Sequence, residues 1–139
     1  MSLPTVNLVS DHNAYDLLND EQFKVQWLSL FDQCDYATVF QHPSFVQTWY
    51  ETYRLQWNPI LVKYQDDDGH LKGLWLLAYS NEKKLLVHAG AHQAEYQVWL
   101  AQKDEEVNFI TNAWNLLKRN VKFEELHFKY IPCSTLCSI

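Results

Sequence analysis

Glycine is almost missing from this chain: 139 residues contain three, alongside four prolines and three cysteines. Backbone closes around a phosphate most readily where glycines permit left-handed turns and close approach, so this poverty excludes most nucleotide-binding loops. No glycine is followed by lysine, which rules out a Walker-type loop outright. The cysteines Cys34, Cys133 and Cys137 are odd in number and widely spread, which suits a reducing compartment better than a disulfide framework. Clustered basic charge is also lacking. Eleven basic residues face seventeen acidic ones for a net charge of −6, and Lys83-Lys84 and Lys118-Arg119 are isolated pairs, so nucleic acid is not an expected partner. The longest strongly apolar run, Leu74 to Tyr79, is far too short to cross a bilayer, and Met1 to Ser10 has no basic segment leading into an apolar core. Neither membrane insertion nor export is expected, and the expected location is cytoplasmic.

What the chain does have is apolar and aromatic bulk. At 47% hydrophobic and 15% aromatic, with six Trp, eight Tyr and seven Phe, it can fill the core of one compact domain spanning residues 1–139. Asp66-Asp67-Asp68-Gly69 separates two β-prone runs, Ile60 to Tyr64 and Leu71 to Leu77, and reads as a hairpin tip. A calcium loop fails there, because placing Gly69 at the sixth position puts Tyr64 and Trp75 where carboxylates are needed. Helical spacing appears three times. Phe23, Trp27, Leu30 and Phe31 form one stripe behind Asp20-Glu21; Val46, Trp49, Tyr50, Tyr53 and Trp57 form a second opened by Pro43. Val107, Ile110, Trp114 and Leu117 form the third, with acids at its start and Lys118-Arg119 at its end, matching the helix dipole. Further strands are expected near Val6 to Val9, at Lys84 to His88, at Tyr96 to Leu100, and at Glu125 to Ile131, where Leu126, Phe128 and Tyr130 alternate with His127 and Lys129. The expected fold is therefore α/β or α+β, with a mixed, mostly antiparallel sheet flanked by helices.

Several short segments carry a family resemblance. They are Thr38-Val39-Phe40-Gln41 followed by Trp49, then Gly69-His70-Leu71-Lys72-Gly73-Leu74-Trp75-Leu76-Leu77, then Gly90 ahead of Glu95-Tyr96, and finally Leu126 to Pro132. Together they resemble the amino-terminal half of GNAT-fold acyltransferases of the cellulose-biosynthesis type, which are relatives of the FemAB-like tandem-GNAT enzymes. The likeness spans Thr38 to Ile139. It departs from the pattern at Leu76, where the family has proline, and at Glu95, where it has aspartate. The resemblance implies a GNAT-like sheet, an acyl-CoA donor in the full-length enzyme, and direct acyl transfer to an amine or hydroxyl. The second GNAT-like unit, with the more typical donor features, is absent from the chain. The chain is thus either a fragment or a stand-alone relative of the first half, inactive alone and not expected to bind acyl-CoA tightly. Pro132 to Ile139 carries no charge and reads as an interrupted chain rather than a solvated tail. The expected partner is a second GNAT-like unit or a second copy of this chain.

Glu95, Tyr96 and His88 are the candidate catalytic residues under this resemblance. A carboxylate at a strand edge can serve as general base for an amine, a tyrosine as general acid to a departing thiolate, and His88 or His92 beside Gly90 as a group titrating near neutral pH. The plain alternative makes Tyr96 a half-buried strand residue and Glu95 a solvated turn charge. Coenzyme A pyrophosphate is held by consecutive N–H groups at a helix start, and Val87 to His92 is the nearest candidate, lacking a basic or amide residue before Gly90 and leading into a strand. The cofactor-binding residues therefore stay unassigned. No metal is expected, because His88/His92 and Cys133/Cys137 have helix-type spacing around a segment that is not helical. A cysteine nucleophile has only Cys34 or Cys133 with a distant histidine in its favour. The competing class is a non-catalytic interaction module: Trp49, Tyr50, Tyr53, Trp57, Trp75 and Trp99 exceed what a small core normally holds, most of them are expected in the core, and an aromatic surface left exposed without a second unit is expected to drive self-association.

Overall fold

The computed structural model describes residues 5–128; Cys133, Cys137, the end of the strand expected at Glu125 to Ile131, and Pro132 to Ile139 lie outside them. The architecture is mixed α+β. The chain runs β1 (Thr5–Ser10), α1 (Asp11–Leu18), α2 (Glu21–Gln33), α3 (Pro43–Thr52), β2 (Asn58–Gln65), β3 (Leu71–Ser80), β4 (Leu85–His88), β5 (Leu100–Ala101), α4 (Glu106–Asn120) and β6 (Glu125–His127). The strand order is β1-β2-β3-β4-β6, antiparallel throughout except for the parallel pair β4–β6, whose strands are joined by way of α4.

Period-two alternation assigns the two faces. Leu61, Leu74, Leu76, Ala78 and Val87 meet Ala14, Leu18, Phe23, Trp27, Leu30, Val46 and Tyr50 from α1–α3 on one side. Ile60, Val62, Tyr64, Trp75, Leu77 and Leu86 meet Phe109, Ala113 and Leu117 of α4 on the other. Because both faces of β3 are covered, its sequence is an unbroken apolar run from Leu74 to Ala78 rather than an alternating one. Gly73 lies directly under α4, where an added Cβ would come within 2.6 Å of the Phe109 ring.

Several expected boundaries shift. α1 is an additional helix whose sequence, DHNAYDLL, is rich in weak helix formers; its Ala14 and Leu18 are drawn into the core, so packing outweighs propensity. α3 stops at Thr52 rather than continuing to Trp57, since Tyr53 leaves helical geometry and Pro59 follows in β2. The strand expected over Tyr96 to Leu100 is paired only at Leu100–Ala101. β4 and β5 occupy the same edge of β3, β4 along Leu77–Ser80 and β5 along Gly73–Leu74. Between them residues 90–99 leave the sheet as one outward excursion, which carries Glu95 and Tyr96 and has His88 at its base.

Candidate functional site

Gly90 starts the excursion. Its φ of 103° is followed by 40° at Ala91, two successive left-handed residues that turn the chain sharply out of β4. The Gly90 carbonyl then accepts the N–H groups of Gln93 (2.7 Å) and Ala94 (3.1 Å), closing a tight turn. Three glutamines fasten the remainder of the excursion. Gln41, fully buried, donates from Nε2 to the Tyr96 carbonyl at 2.9 Å, while its Oε1 accepts from the Thr38 N–H at 2.8 Å and from the Thr38 hydroxyl at 3.0 Å. Gln93 Oε1 accepts from the Trp49 indole at 3.0 Å, and Gln97 Nε2 donates to the Ala91 carbonyl at 2.8 Å. The Thr38-x-Phe40-Gln41 segment is thus a capping unit that reaches across and secures the excursion.

His88 is the fourth fastening. Its ring is fully buried, with Nδ1 3.0 Å from the Ala89 carbonyl and Nε2 2.9 Å from the Val98 carbonyl, so it bridges the base of the excursion. A neutral imidazole has one N–H for these two acceptors. Burial pushes its pKa down, and the two carbonyls pull it partly back. Both ring nitrogens face backbone carbonyls, one donating its N–H, so neither faces a substrate or a metal shared with His92.

Glu95 is exposed, and Tyr96 is 40% exposed with its backbone, rather than its phenol, in the hydrogen-bond network. No hydrogen bond among the described residues joins Glu95, Tyr96 and His88 to one another, and the excursion points the first two outward while sealing the third inside. Cys34 is buried, its thiol set against the Ala101 carbonyl at 3.4 Å, and burial raises its pKa, the opposite of an activated nucleophile. One trio of ligand-type side chains does meet among the described residues: Asp66, Asp68 and His70 at the hairpin tip, with ligand atoms within 4.8 Å of one another. There Asp66 Oδ1 accepts the N–H groups of Asp68 (3.0 Å) and His70 (2.9 Å), which is the work of a turn.

The cavity beside the excursion was not legible from the sequence. A cleft of about 350 Å³ lies over the parallel pair, floored by Leu85 and Val87 of β4 and flanked by Trp57 after α3, by Ala91 and Gln97 of the excursion, and by Phe128 beyond β6. Lys83, His92, Gln97 and His127 supply its polar groups, and among the described residues no carboxylate or thiol lines it. His127 is held by Glu125, Nε2 to Oε2 at 2.6 Å. The arrangement can shelter an apolar body and, through Lys83, attract an anionic end. Parallel strands in an otherwise antiparallel sheet place the cleft, and only the crossover through α4 reveals that pairing.

A coenzyme A pyrophosphate does not fit the turn at Gly90. The N–H groups of Ala89, Gln93 and Ala94 are committed to the carbonyls of Leu76 and Gly90, and an added Cβ on Gly90 would sit 2.3 Å from Ala94 Cβ. The glycine accommodates the protein's own chain. The start of α4 suits phosphate no better, since Asp104, Glu105 and Glu106 crowd it with negative charge.

No protein-family profile matches the chain, and no curated protein or solved structure is significantly similar to it.

Proposed function

We propose that the chain is a GNAT-like domain of an acyl-CoA-dependent acyltransferase, one that does not catalyse transfer alone and contributes substrate recognition or scaffolding to the complete enzyme. The observation that carries this reading is the cleft over the β4–β6 pair, with an apolar floor, aromatic walls and Lys83 at its rim, and among the described residues no carboxylate in its lining. The sequence resemblance supplies the reaction class. In that chemistry an amine or hydroxyl attacks the thioester carbonyl, the carbon–sulfur bond breaks, and the acceptor's proton leaves to a base as the thiolate departs. Glu95 and Tyr96, outside the cleft, act in this reading only once a second unit closes over them, and the donor's phosphates are held by that unit.

The test uses S-acetyl-N-acetylcysteamine, a thioester without phosphates, titrated into the isolated chain with the Trp57 indole and His127 ring signals followed by NMR. Saturable shifts at these two residues, together with no thiol release from acetyl-CoA in the presence of an amine, are the expected result. Thiol release by the isolated chain makes it a complete enzyme and overturns the reading. Unmoved signals in a stably self-associated protein favour the second class, an interaction module. Of the aromatic residues on which such a module could draw, Trp49, Tyr50, Trp75 and Trp99 are core, each 5% exposed or less, as expected of most of them, and Tyr53 and Trp57 are half-buried.

A further inference from the structure

The walls of the cleft over the β4–β6 pair are held in place by rings outside its lining. Trp57 stands against Trp49 with ring centroids 6.4 Å apart, and Phe128 stands against Trp75 at 5.5 Å and the buried His88 ring at 6.1 Å. The floor, Leu85 and Val87, is part of the sheet, and Gln97 on the flank is tied through Nε2 to the Ala91 carbonyl. A ligand entering such a cleft orders little, and a volume of about 350 Å³ suits a small molecule. Charge enters at the rim. Lys83 and Trp57 also line the adjoining hollow, where Asn58, Ser80 and Asn81 form a polar surface together with Glu82. Lys83 therefore stands where the apolar cleft gives way to a polar one. Its N–H donates to Ser80 Oγ at 3.2 Å, which sets its backbone in the turn, and among the described residues no carboxylate forms an ion pair with its ammonium group. Glu125 is turned to His127 instead.

We propose that this cleft takes an apolar monocarboxylate, with the hydrocarbon body on Leu85 and Val87 between Trp57 and Phe128 and the carboxylate on Lys83. The inference rests on the reading of the cleft as a recognition site and names the substrate class that the site selects. Other small ligands match the lining less well. A phosphate ester is held by several converging donors, and the rim supplies one ammonium group. A polyol would bury hydroxyls against Leu85 and Val87, which have no side-chain partner to offer them. A neutral hydrocarbon matches the floor and leaves Lys83 to water, whereas a monocarboxylate satisfies floor and rim together. Its head then lies at the boundary with the polar hollow, where it keeps part of its hydration, so the desolvation cost that burdens buried ions is small. Because Lys83 is exposed, the gain from its charge is modest and the body supplies most of the affinity.

The test titrates 4-phenylbutyrate and its neutral isostere 4-phenylbutyramide separately into the full chain at low salt, at about pH 7.5 where the acid is ionised, with the Trp57 indole and His127 ring signals followed by NMR. Both ligands are expected to move these signals saturably, the acid binding about threefold to fivefold more tightly than the amide. That preference is expected to shrink in about 0.5 M salt. Lys83→Met, a change at an exposed position, is expected to abolish it by weakening the acid alone and leaving the affinity for the amide as it was. Equal affinity for acid and amide overturns the proposal, as does a preference that survives Lys83→Met, or an acid that moves neither signal. The two readings fail separately. Shifts with S-acetyl-N-acetylcysteamine and none with the acid remove the carboxylate and leave the acyltransferase reading standing, whereas thiol release from acetyl-CoA by the isolated chain overturns that reading without altering the ratio of acid to amide affinity.

Discussion

Gly69 and Gly90 both adopt positive φ, 84° and 103°, yet they carry different loads. Around Gly69 nothing lies within 4 Å of an added Cβ, so Gly69→Ala meets only the backbone penalty, about 1–2 kcal/mol. At Gly90 the same penalty adds to a Cβ–Cβ approach of 2.3 Å to Ala94, so Gly90→Ala is expected to cost clearly more, about 3 kcal/mol or above, in urea denaturation. Gln41 is the second residue on which the excursion depends. Gln41→Ala strips the Tyr96 carbonyl and the Thr38 N–H of their buried partners, with an expected loss of about 1–3 kcal/mol. Its signature is local: hydrogen exchange accelerates across residues 89–97 before it does in β2 and β3. Exchange that rises uniformly over the sheet would mean that Gln41 does not fasten the excursion.

Helix starts differ in how much the sequence supplies to each. Asp20 caps α2, its Oδ1 accepting the N–H groups of Gln22 at 2.9 Å and Phe23 at 3.2 Å, whereas Ser10 precedes α1 without a side-chain cap bond. Asp20→Ala is therefore expected to lower stability by about 1 kcal/mol and Ser10→Ala by little, in the same thermal melts. This contrast also explains why α2 is legible in the sequence and α1 is not. A cap followed by Phe23, Trp27 and Leu30 at helical spacing specifies α2 locally, while α1 exists because two of its residues find places against the sheet. The excursion is illegible for a related reason. Tyr96 to Leu100 alternates well enough for a strand, but the segment that could pair with β3 in continuation of β4 is displaced by the turn at Gly90 and returns only at Leu100.

At the scale of the whole molecule, His88 couples global stability to pH. Its folded pKa lies below the unfolded value of about 6.5, so between the two values the unfolded chain binds more protons. The stability it contributes is complete above about pH 6.5 and is lost as pH falls through that window toward the folded pKa. The urea midpoint is expected to be lower at pH 5.5 than at pH 7.5, and His88→Gln to flatten that difference; an unchanged slope in the variant would remove His88 as its source. Asp66, whose pKa is lowered by the N–H groups and the ring it accepts or faces, acts in a separate and more acidic window. No helix among the described residues is long and apolar enough to cross a membrane, in keeping with the short apolar runs of the sequence. By itself, the sequence determined the α+β class, the hairpin at Asp66–Gly69, α2, the approximate spans of α3 and α4, and the apolar content of β2 and β3, because caps, turns and periodicity act between residues close along the chain. Tertiary structure alone decided that β4 lies parallel to β6, that His88 faces two carbonyls, that Gln41 reaches Tyr96, and that a cleft opens between Trp57 and Phe128. Each of these joins segments whose pairing is set by which faces the assembled sheet and helices must bury together.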